Sequence, residues 1–152
     1  MRGTITALSL LAAFGAGYAA SRAGSAAQAQ PAAAITTRIF ELAAMKDEEI
    51  GPIVPNTELR TRNLIVTEWG TVGIQVGNVF KHYHADANEV QYIIEGTGSF
   101  WLGDKEVQIK PGDLISIPKG THHAGSKPAT GRFKALAIKM PPQRPDDTKR
   151  VD

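Results

Sequence analysis

The chain has no cysteine, so no disulfide framework and no thiolate chemistry can organise it. It has two tryptophans and little aromatic content. Net charge is nearly absent as well. The formal value is +2, yet both Arg2 and Arg22 fall in the first 29 residues, and without them 15 basic residues face 15 acidic ones. A chain of that balance offers no basic field for nucleic acid. A long hydrophobic run is the other scarcity. The best stretch, Gly3 to Ala20, is diluted by Gly, Ser and Thr and is marginal for a membrane span. No twin arginine accompanies it, and no cysteine is available for a lipid anchor.

What residues 1–29 do have is the grammar of a secretory signal. Arg2 supplies the positive start, Ile5 to Phe14 the apolar centre, and Ala27-Gln28-Ala29 an A-x-A cleavage site. The expectation is a chain cleaved after Ala29 and found in the periplasm or outside the cell, with no membrane attachment after cleavage; an uncleaved anchor is the competing reading. Residues 30–57 read as an N-terminal extension. In it Ile35 to Glu41 is a candidate strand, and Leu42 to Ile50 one or two helical turns stopped by Gly51-Pro52.

From Glu58 the character changes. Short β-rich runs follow one another, with turn signals every 8–12 residues and little helix. The expected strands are Asn63–Glu68, Val72–Val76, Val90–Glu95, Ser99–Leu102, Glu106–Ile109, Leu114–Ile117 and Phe133–Met140. Gly96 and Gly98 mark a turn between the third and fourth of these, and Gly103-Asp104 a hairpin. This is the pattern of an all-β sandwich or barrel over residues 58–140. Residues 141–152, rich in proline and charge, read as a flexible tail.

The chemistry concentrates in four histidines: His82, His84, His122 and His123. Histidines at i and i+2 on a strand face the same way and can bind one ion. Val72, Ile74, Val76 and Phe80 share their parity, so an apolar face runs into the pair. Glu89 opens the next strand and can return beside them. His123 follows the Pro118-Lys119-Gly120 turn and can complete the group, while His122, its neighbour, must point elsewhere. Three neutral imidazoles and a carboxylate suit one divalent transition metal, and leave a position for water, substrate or dioxygen. Fe, Mn, Ni, Cu, Co and Zn are not distinguished by this donor set.

These residues fall into two motifs. The first is Gly77, four residues, His82-x-His84, four residues, Glu89, six residues, Gly96; the second is Gly112, five residues, Pro118-x-Gly120, two residues, His123. In this the chain resembles the cupins, specifically their small single-domain members. It departs from the family pattern by one residue fewer after Gly77 and by Lys127 where the second motif has Asn. The resemblance implies a cupin-type jelly-roll β-barrel with His82, His84, Glu89 and His123 as metal ligands. It also implies pairing into a homodimer.

Several side chains then have two readings. Gln91 shares the parity of Glu89 and either donates to a substrate or to Glu89, or is a satisfied core residue. With Glu89 as a base when off the metal, the two form the candidate catalytic pair. Phe80, Ile93, Phe100 and Leu102 line an apolar pocket or belong to the core. Arg60 and Arg62 clamp a substrate carboxylate or form a solvated edge. Tyr83 and Tyr92 have the opposite parity and belong to the outer face, and Trp69 and Trp101 to packing or a dimer contact. The functional expectation is a metal-dependent dioxygenase-type oxidoreductase on a small enol, catechol-like or diketone substrate. A metal-dependent isomerase or lyase, and a non-catalytic periplasmic module holding a metal or small ligand, are the alternatives.

Overall fold

The computed structural model describes residues 35–151. The signal-peptide reading of residues 1–29 lies outside them, and among the described residues no helix is long and apolar enough to cross a membrane. One four-residue helix, α1 (Asp47–Ile50), precedes eight strands. These are β1 (Arg60–Val66), β2 (Thr71–Val76), β3 (His82–His84), β4 (Asn88–Leu102), β5 (Lys105–Ile109), β6 (Leu114–Ile117), β7 (His123–Met140) and β8 (Thr148–Arg150).

All eight strands join one curled sheet, with β7 as its spine. Its outer half pairs with β2, its first residue with β3, and most of its length with β4. β4 also pairs with β5 through its second half and with β6 through its first. A strand can serve several neighbours in this way only if it bends. The β4–β7 ladder shifts register four times between Ile93 and Trp101, and each shift adds local twist.

Here the sequence reading needs correction. Gly96 and Gly98 do not end a strand; they lie inside the continuous 15-residue β4. Gly96 has φ +89, and a Cβ there would stand 2.6 Å from the Arg132 carbonyl oxygen. The glycine is a bend that lets β7 approach, not a chain reversal. In the same way β7 begins ten residues earlier than the expected Phe133 start, at His123.

The core has two parts. The larger gathers Ile93, Phe100, Ile109, Ile115, Ile117 and Phe133 inside the curl. The smaller is Ile50, Ile74 and Val76, with Leu42, Met45 and Leu64 against it. The N-terminal extension is therefore part of the packed structure. Burying Ile50 is worth about 2 kcal/mol by the area removed from water. Lys134, almost fully buried, donates to the carbonyls of Ala43 and Met45 and to Glu95, tying the extension to β7. Ile35–Glu41 forms no strand. Ile39 in it is 90% exposed.

The largest difference is at the C-terminus. Residues 148–150 are not a flexible tail but the edge strand β8, paired with β3 in the register His82↔Arg150, Tyr83↔Lys149, His84↔Thr148. Proline and charge made the segment read as disordered. The free edge of β3 supplies what composition alone cannot reveal, a set of unpaired backbone groups to satisfy.

Candidate metal centre

β3 is only three residues long, with the burial pattern buried, half-buried, buried. His82 and His84 therefore point inward and Tyr83 outward, as period-2 geometry requires. Gly77 makes the entry to this segment: its φ is +100, and a Cβ would fall 2.0 Å from the Glu58 carbonyl oxygen. The Pro118-Lys119-Gly120 turn is pinned to the same place. Gly120 N–H donates to the His84 carbonyl at 2.8 Å, and Lys119 N–H to the Asn88 side-chain oxygen at 3.1 Å. His123 then emerges directly opposite His82 in the ladder.

The imidazoles of His82, His84 and His123 converge, with one ring nitrogen of each within 4.8 Å of the others. All three are buried. Their far nitrogens are held: His82 Nδ1–H donates to the Phe80 carbonyl at 2.9 Å and His123 Nδ1–H to the Thr121 carbonyl at 2.9 Å. Those bonds fix the tautomer and leave Nε2 with its lone pair inward, as a metal ligand needs. His84 Nδ1 faces the carboxylate of buried Asp147 at 3.4 Å and Thr148 Oγ1 at 3.5 Å.

Glu89 completes the cluster on one side. Its Oε2 lies 2.9 Å from His84 Nε2 and 3.2 Å from His123 Nε2, and its Oε1 accepts from Gln91 Nε2 at 3.0 Å. The second contact lacks hydrogen-bond geometry, so His123 Nε2 is a buried nitrogen with no partner. An orphaned, inward-facing lone pair beside two further imidazoles and a carboxylate fits a divalent ion. Glu89 reaches two of the three histidines, and the common group of converging ligand atoms consists of the histidines alone.

Electrostatics keep two of these donors, His82 and Glu89, in ligand form. Burial, reinforced by neighbouring His123, lowers His82 to about 4, against the pull of the Phe80 carbonyl. Burial would raise the Glu89 carboxyl, but contacts with His123 and His84 and the charge of Lys139 hold it well below the usual carboxylate range. Near neutral pH the site thus presents a neutral His82 and an anionic Glu89.

The other sequence-read residues separate cleanly. His122 lies outside the cluster, its ring 5.6 Å from that of Tyr83 on the outer face. Gln91 is buried and bonded to Glu89 rather than aimed at the cavity beside the histidines. Arg60 and Arg62 are no substrate clamp: their guanidinium groups donate to the carbonyls of Gly51 and Glu49 at the end of α1. Phe80 lines the cavity, Ile93 and Phe100 are core, and Leu102 packs against that core. Lys127, in the motif position of the missing Asn, is exposed and pairs at 3.7 Å with Glu106. Trp101 carries Lys81 over its ring at 4.1 Å, and Trp69 is 75% exposed.

A cavity of about 420 Å³ opens onto His82 and His84. Val54, Pro55, Leu59, Val79 and Phe80 give it an apolar wall. Its polar wall comes largely from residues the motif did not point to: Lys139, Gln143 and Thr148. The only sequence signal for Lys139 was its place in the last expected strand, and the other two lay in the presumed tail.

The fold is that of a cupin-type barrel. Residues 70–139 match the family model described as Cupin domain. A double-stranded beta-helix protein from Klebsiella pneumoniae has the same fold, with a TM-score of 0.56 and 20% identity over 70% of this chain and 91% of that one. By sequence, the cupin segment is 34% identical over 71 residues to an uncharacterized protein of Methanocaldococcus jannaschii, covering 47% of this chain and 57% of the relative. It is 44% identical over 48 residues to acireductone dioxygenase of Exiguobacterium sibiricum, covering 28% of this chain and 26% of that enzyme. The chain thus spans about half or less of the length of these relatives.

Proposed function

We propose that this chain is a cupin and a metal-dependent oxidoreductase of the dioxygenase type, acting on a small enol, catechol-like or diketone substrate. The observation that carries this reading is the unpartnered His123 Nε2 in a three-histidine cluster whose His82 and His84 line a 420 Å³ cavity. That arrangement leaves room for a ligand beside the histidines, which a purely structural polar cluster does not need. The similarity to a protein named a dioxygenase supports oxidative chemistry over the isomerase and lyase alternatives.

A divalent ion held by His82, His84 and His123 with Glu89 would supply Lewis-acid polarisation of paired substrate oxygens and an open position for dioxygen. The chain's own residues do the rest. The Phe80 and Thr121 carbonyls orient two imidazoles. Gln91 holds Glu89, whose carboxylate would be the candidate base for a substrate proton. The apolar wall keeps water from the reacting carbons.

The test is elemental analysis of the purified protein, followed by oxygen uptake against a panel of enols, flavonols and diketones. The expected result is one divalent ion per chain and oxygen consumption with at least one compound. Stoichiometric metal without oxygen uptake would favour a module that holds a metal or ligand without turnover. A protein that contains no metal and takes up none on incubation refutes both. Export with cleavage after Ala29 and assembly as a homodimer belong to the same reading. N-terminal sequencing of the exported chain and light scattering of the purified protein check them.

A further inference from the structure

Among the described residues, the cavity wall carries a single cationic side chain. Lys139 lines it, and no aspartate or glutamate does among the described residues. Its ammonium group donates to the side-chain oxygen of Gln143, a neutral partner. Gln143 is itself held by donation from its Nε2 to Thr148 Oγ1 at 2.6 Å, so the amide presents its oxygen to Lys139. No carboxylate lies within ion-pair distance of Lys139 among the described residues. Its cross-strand neighbour Glu89 feels its charge but is bonded to His84 and Gln91.

Lys134 on the same strand shows the contrast. It is buried and fully paired with two carbonyls and Glu95, as a structural lysine should be. Lys139 is half-buried, faces the cavity, and has no carboxylate in direct contact, so its ammonium group is left open to a further anion on the cavity side. A partly desolvated cation of this kind favours an anion far more than one in open water does.

We infer that the cavity selects an anionic ligand, a carboxylate or enolate whose charged oxygen lies on Lys139 while its other oxygens face His82 and His84. Thr148, Gln143 and Asn63 lie on the same wall to accept or donate further hydrogen bonds, and Phe80 with Leu59 covers the carbon skeleton. This deepens the dioxygenase reading by naming the charge class of its substrate. It is tested by binding, so that its failure and the absence of turnover are separate results.

The experiment is titration calorimetry of the full metal-loaded protein with two probes of one shape, 2,3-dihydroxybenzoate and 2,3-dihydroxybenzamide. The wild type should bind the carboxylate at least about tenfold more tightly. Lys139→Met should erase the difference and Lys139→Arg should keep it. Gln143→Glu, which places a carboxylate against Lys139 without removing the cation, should also erase it. Circular dichroism melts establish that each variant is folded. Equal affinities in the wild type, a preference that survives Lys139→Met, or no binding of either probe overturns the proposal.

Discussion

At the scale of single residues, two adjacent histidines divide by strand parity. His123 is fully buried and offers an unpartnered Nε2 to the cluster, whereas His122 lies against Tyr83 on the other face. The replacement His84→Ala or His123→Ala removes one of three converging nitrogens and should cost at least about a hundredfold in metal affinity, since each imidazole is a direct donor. His122→Ala should leave affinity within about twofold. Competition with a coloured chelator measures all three. Equal losses at positions 122 and 123 would mean that the turn delivers the wrong ring. This division was legible beforehand because the i, i+2 pair and the Pro-x-Gly turn are local features, and local geometry alone decides which way each side chain points. The bond from Gln91 to Glu89 was likewise one of two readings open at that position, and shared parity put both residues on one face.

At the scale of elements, legibility fell where pairing is distant in sequence. The segment after Met140 looked disordered because composition reports only what a stretch prefers by itself. Its partner, β3, lies more than sixty residues earlier, and the strand exists because β3 has an edge to cover. The two glycines in β4 misled for a related reason: glycine marks both turns and bends, and only the partner strand separates them. The unread C-terminal segment supplies part of the centre itself. Asp147 is buried, accepts the Asp86 N–H on Oδ1 at 2.6 Å, and turns its otherwise unpartnered Oδ2 toward His84 Nδ1 at 3.4 Å. A carboxylate behind a ligand imidazole orients it and raises its basicity. Asp147→Asn keeps the shape and removes the charge, and should weaken metal binding by roughly tenfold. An Asp147→Asn protein with unchanged affinity in the same chelator competition would show that His84 is placed by β3 alone.

At the scale of the whole molecule, the centre couples folding to pH. Strands β3, β4 and β7 each contribute to it, so burying its histidines and Glu89 is inseparable from closing the sheet. In the metal-stripped protein His82 titrates at about 4 when folded, against 6.5 when unfolded. Between those values the unfolded chain takes up a proton that the folded chain refuses. Stability must therefore fall as pH drops from 6.5 toward 4, by about 3 kcal/mol in total at roughly 1.4 kcal/mol per unit. Glu89 acts in the same sense at lower pH. Its folded carboxyl lies below the ordinary value of 4.5, so the stability it contributes is present above that value and is lost as pH falls further. Urea melts of the stripped protein at a series of pH values should show the first decline between pH 6.5 and 4. His82→Gln, which cannot titrate, should flatten that limb and leave the Glu89 limb below it. If the wild type and His82→Gln lose stability in parallel across the window, the acid sensitivity belongs to other groups and the buried, neutral His82 is not its source.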